Sequence, residues 1–111
     1  MYKQDFEIIK GETFIKDIII TIDKLIYPLN NFTAVSEIRP YPGSHELTES
    51  FTCEVMGDIG VVRLILSSQQ TNSLSKGVQH YDVVLINQET NERIYLAGGK
   101  LLIKNHVTEL Q

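Results

Sequence analysis

The feature that most constrains this chain is a period-two alternation of apolar and polar residues. It is carried by β-branched and aromatic side chains and broken at intervals by glycine, proline and asparagine. Successive side chains of a strand point to opposite faces, so each run supplies one face for a core and one for solvent. Phe6 and Ile8 alternate with Asp5, Glu7 and Ile9 until Gly11 ends the run. Phe14, Ile18, Ile20 and Ile22 share the face of a second strand, with Lys16 out of pattern and Ile15 and Ile19 opposite. Phe32, Ala34, Ser36 and Ile38 form a third face, Phe51, Cys53 and Val55 a fourth, and Val62, Leu64 and Leu66 a fifth. Tyr81, Val83 and Leu85 define a sixth strand. Ile94, Leu96, Leu101, Ile103 and Val107 define a seventh.

Turn chemistry separates these runs. Pro28 with Asn30-Asn31, Pro40 to Gly43, Gly57-Asp58 and the polar stretch 87–92 all favour reversal. The polar run from Ser67 to Ser73 predicts a crossing between sheets through one turn of 3₁₀ helix, and no segment predicts a longer helix. Gly98-Gly99 predicts a bulge or sharp bend. Seven or eight short strands with regular turns imply an all-β, immunoglobulin-like antiparallel sandwich. The shared faces predict a core of Phe14, Ile18, Ile20, Phe32, Ile38, Leu64, Leu66, Tyr81, Val83, Leu85, Leu96 and Ile103. Burying each large aliphatic side chain there stabilises the fold by ~1.5–3 kcal/mol. Tyr81, following the Gly77 turn, predicts a tyrosine corner whose hydroxyl bonds to backbone and staples the crossover.

With 111 residues the chain fits a single domain over 1–111. A domain of this size buries roughly 60–70% of the surface its unfolded chain exposes, enough for a core without disulfides. Cys53 is the lone cysteine and reads as a small core residue. The net charge is −4 and no basic run occurs, so no nucleic-acid partner is expected. The opening residues lack the apolar core of a signal peptide, and the longest apolar run, Ile18 to Ile20, is far short of the ~20 residues of a membrane helix. No membrane partner is expected, and the simplest expectation is cytoplasmic synthesis. The glycosylation acceptor Asn31-Phe32-Thr33 then carries no meaning.

No catalytic, cofactor-binding or metal-binding residue stands out. His45, His80 and His106 lack ligand spacing to one another or to Cys53. His80 and Asp82 share a strand face, as two members of a triad could, but no nucleophile setting accompanies them. Gly98-Gly99-Lys100 resembles a phosphate loop only faintly, because Leu101-Leu102-Ile103 reads as strand where a helix is required. Asp17, Asp23, Asp58 and Asp82 show no calcium-loop pattern. The expectation is a non-enzyme with no cofactor and no metal.

The order of several segments carries a resemblance. Gly11-Glu12-Thr13-Phe14 follows a short strand, and Ser36-Glu37-Ile38-Arg39 precedes a Pro-Gly loop. Leu66-Ser67-Ser68-Gln69-Gln70-Thr71 leads through Leu74 and Gly77 to Tyr81-Asp82-Val83. Arg93 to Lys100 and Val107-Thr108 close the series. Over nearly the whole chain this resembles the small immunoglobulin-like proteins of phage and prophage tail regions, which are similar to the N-terminal domain of baseplate upper proteins. Asn30-Asn31 stand where that family usually has glycine, a mild departure because Asn tolerates left-handed backbone. The resemblance implies a structural or assembly module of a phage tail or baseplate, located in the virion tail and assembled in the host cytoplasm. Its partners would be other tail proteins or further copies of itself. A carbohydrate-binding module for host attachment and an accessory domain of a cytoplasmic enzyme are the alternatives. Contact is expected near the last strand, read as a free edge from Leu101 to Val107 with Leu102 on its outer face.

Overall fold

A computed structural model describes residues 2–22, 25–26 and 29–105. It is an all-β sandwich. Its strands are β1 (Tyr2–Lys3), β2 (Phe6–Ile9), β3 (Phe14–Ile19), β4 (Thr21–Ile22), β5 (Leu25–Ile26), β6 (Phe32–Arg39), β7 (Glu49–Met56), β8 (Val61–Leu66), β9 (Gly77–Asn87) and β10 (Arg93–Lys104). A 3₁₀ turn, Gly57–Ile59, precedes β8, and one short helix, α1 (Ser68–Ser73), joins β8 to β9.

The hydrogen-bonded path runs β1–β10–β9–β6–β7–β8–β3, with β2 also on β10 and β4–β5 a separate hairpin. The fold turns its corner in β7. Residues 49–51 pair with β6 and residues 52–56 pair with β8, so one strand serves both layers. The two ends of the path then face each other. The Phe6 ring of β2 packs 5.7 Å from that of Phe14 in β3, and Phe51 and Tyr81 complete the aromatic cluster. Aromatic pairs at such separations add to the area they bury.

Every residue expected in the core lies in it or against it. Ile18, Ile38, Leu64, Leu66, Tyr81, Val83, Leu85 and Ile103 are buried, and Phe14, Ile20, Phe32 and Leu96 pack on them half-buried. Phe6, Ile8, Leu29, Phe51, Val62, Leu74, Ala97 and Leu101 join this cluster beyond that expectation. Lys16 faces inward on β3 but escapes to the rim, where its ammonium lies 5.8 Å from the Phe6 ring centroid.

Several local expectations are corrected. The second strand does not run unbroken to Ile22; β3 ends at Ile19, and the Ile20 amide donates to the Gly60 carbonyl at 2.8 Å. The crossing after Leu66 is a six-residue α-helix rather than a 3₁₀ turn. Its capping box has the Gln70 amide donating to Ser67 Oγ at 3.2 Å and the Ser67 amide to Gln70 Oε1 at 2.9 Å. The sheet is not antiparallel throughout, since β1 and β2 both run parallel to β10.

The double glycine forms no bulge. Gly98 and Gly99 lie within β10 without positive φ, and the register shift falls between Tyr95 and Ala97. Gly99 is needed for space. A Cβ there would collide with the Gln4 carbonyl and come within 2.7 Å of Asp5 Oδ1. Asn30 and Asn31 adopt no left-handed geometry; among the described residues Asn91 is the non-glycine residue that does, at φ 60°. The turn at Pro28 and the positions of His106 and Val107 fall outside the described residues.

Candidate functional site

Cross-strand register builds one concave surface. On the outward face of β6, β9 and β10, Arg39 pairs with His80 and His80 with Lys100. In the next row Glu37 pairs with Asp82, Asp82 with Gly98, and Gly98 with Lys3 of β1. Gly98 has no side chain, so the rows enclose a groove of ≈ 430 Å³, walled at one end by the Tyr41–Gly43 loop. Arg39 fixes that wall: its Nη2 donates to Glu37 Oε1 at 3.0 Å and its Nη1 to the Ser44 carbonyl at 3.2 Å. Burial pushes the Asp82 carboxyl above the usual carboxylate range; the Glu37 charge adds to this and Arg39 opposes it.

The groove joins the two sequence candidates that stood apart, His80 with Asp82 and Gly98-Gly99-Lys100. Neither keeps the chemistry first weighed for it. No Ser, Thr or Cys lines the groove, so a triad has no nucleophile there. Ser36, two strands' width from Gly98, points into the core and donates to the Asp82 carbonyl at 2.6 Å. The Lys100 amide, which a phosphate cradle would offer, donates to Asp5 Oδ1 at 2.8 Å. Burial raises the Cys53 thiol to about 11, so it is protonated at neutral pH. His45 is exposed and is not among the residues lining the groove, and no group of three His, Cys, Asp or Glu side chains among the described residues could hold a metal ion.

Tyr81 bonds backbone through its hydroxyl, as expected, but to a remote segment rather than at a local corner. Its hydroxyl donates to the Gln4 carbonyl at 2.6 Å, tying the N-terminal segment down beside Gly99. A contact between residues 77 positions apart leaves no trace in local spacing.

The expected free edge is also corrected. β10 is flanked by β9 on one side and by β1 and β2 on the other. Leu102 does point outward, 38% exposed, as expected. The end strand of the opposite layer is β3, whose outward Ile15 and Ile19 are 58% and 63% exposed. Between them Asp17 accepts from Arg63 Nε at 2.8 Å and Nη2 at 3.2 Å, and this bonding holds the Asp17 carboxyl below its usual range.

No protein-family model matches the chain, and no curated protein sequence does. Among solved structures it is similar to the N-terminal domain of phage TP901-1 ORF48, with a TM-score of 0.54 and 10% identity, over 94% of this chain and 99% of that one. At such identity the likeness concerns the fold. The chain shares the architecture of a phage-protein N-terminal domain along nearly the full length of both.

Proposed function

We propose that the chain is a structural or assembly protein of a bacteriophage or prophage tail or baseplate, working as one domain over residues 1–111 by contact with other tail proteins and without catalysis of its own. The observation that carries this reading is the end-to-end match to a phage N-terminal domain. A fold shared over 94% and 99% of the two chains leaves little of either unaccounted for. The resemblance of the segment order to baseplate upper proteins supports the same class.

The contact surface best suited to this role is the outward face of β3. Ile15 and Ile19 are large aliphatic groups left in water, which a partner would cover favourably. Lys16, directed inward on the same strand, opposes open-ended addition of further strands. A partner therefore meets side chains here rather than extending the sheet. Mass spectrometry of particles purified from an induced host tests the role. The expected result is the chain at a fixed ratio to tail proteins; its absence from both particles and tail precursors contradicts the proposal.

A further inference from the structure

We infer that the groove across β6, β9 and β10 binds an acidic sugar, a hydroxylated ring bearing a carboxylate. The inference is independent of the tail role, because it rests on the side chains of the groove alone.

The main-chain groups of the three strands are already committed. β6 pairs with β7 and β9, β9 with β6 and β10, and β10 with β9 and the N-terminal strands. An extended peptide finds no strand edge within these three strands, the end strand of this layer being the two-residue β1 at the groove's rim, so recognition on the groove floor falls to side chains. Those side chains are of mixed sign. The side chains of Lys3, Lys100 and His80 have no hydrogen-bond or ion-pair partner among the described residues, while that of Arg39 is held by Glu37 and Ser44. Asp82 and Glu37 supply acceptors on the groove floor.

This combination selects among ligands. A phosphate dianion would meet two carboxylates and no available amide at Lys100. A purely apolar ligand would strand the charges of the groove without water. A sugar acid satisfies both signs, with its carboxylate toward Lys100 and Lys3 and its hydroxyls donating to Asp82 and Glu37. Tyr41, 59% exposed at the groove wall, offers a ring for the apolar face of the sugar. The volume, ≈ 430 Å³ and open, falls at the lower end of small-molecule sites and suits one or two rings.

The test compares methyl glucuronide, methyl glucoside and inorganic phosphate by amide chemical-shift titration of the whole chain. The glucuronide is expected to shift the amides around His80, Asp82 and Lys100 with a Kd in roughly the millimolar range, and the other two to bind at least about tenfold more weakly. Lys100→Met should remove the preference for the glucuronide over the glucoside. Asp82→Asn, which keeps the side-chain shape, should weaken the glucuronide about tenfold or more. Each variant's own spectrum reports whether it is folded. Equal binding of glucoside and glucuronide, stronger binding of phosphate, or no shifts in the groove at tens of millimolar glucuronide would overturn the assignment.

Discussion

The two end strands of the folded sheet are treated in opposite ways. At the N-terminal end, Phe6 and Ile8 are buried, Gln4 is bonded by Tyr81, and Asp5 takes the Lys100 amide. The turn that follows is pinned as well. Thr71 of α1 donates to the Glu12 carbonyl at 2.8 Å and accepts from the Gly11 amide at 3.0 Å. At the other end, β3 shows Ile15 and Ile19 to solvent, and its surface contacts are the Asp17–Arg63 pair and the reach of Lys16 over Phe6. One end closes the sandwich by burial and tethering. The other contributes its inner face to the core and leaves its outer face to solvent.

Breaking the closed end should carry the largest cost. Phe6→Ala removes a ring that touches both Phe14 and Tyr81, and should lower stability by about 3–5 kcal/mol in denaturant unfolding. Gly99→Ala forces the Gln4 segment off β10 and should cost about 1–3 kcal/mol, with early loss of amide protection in β1 and β2. Thr71→Val keeps the shape but leaves the Gly11 amide and Glu12 carbonyl without this hydroxyl, for about 1–3 kcal/mol. If these three variants unfold no more readily than the native chain, the tethered end is not what closes the fold.

The same contrast shows which features the sequence could reveal. Period-two patterning marked the inward faces of β3, β6, β8 and β9 because each strand carries its own alternation. It left Phe6, Ile8 and Leu101 out of the expected core. Their burial depends on β2 running parallel beside β10, a pairing between residues at opposite ends of the chain. The same pairing turned the expected edge at Leu101 to Lys104 into an inner strand. Gly99 looked like a bend because the Gln4 backbone it accommodates is likewise remote in sequence. The groove needed three strands in register before His80, Asp82 and Lys100 met. Local spacing shows two of them on one strand and nothing of the third.

The open end should give smaller effects on stability. Asp17→Asn removes a carboxylate whose folded-state protonation is made harder by Arg63. A carboxyl held below its unfolded value contributes stability above that value and loses it as the pH falls through 3.8 and below. The difference between native and variant should therefore be small at neutral pH and vanish in acid; a difference that grew in acid would reverse the assigned sign. Ile15→Asp with Ile19→Asp should lower stability by only about 1–2 kcal/mol in sum, through lost strand preference and the neighbouring Asp17 charge, because both side chains point outward and are mostly exposed.

That double variant also tests the proposed role most directly, contact with other tail proteins through the outward face of β3. Particles purified from a host in which Ile15→Asp/Ile19→Asp replaces the native chain would be quantified by mass spectrometry, with the variant's folding checked by its unfolding transition. The expected result is a variant that still folds and unfolds cooperatively but is lost from the particles. A folded variant incorporated at the native ratio would contradict it.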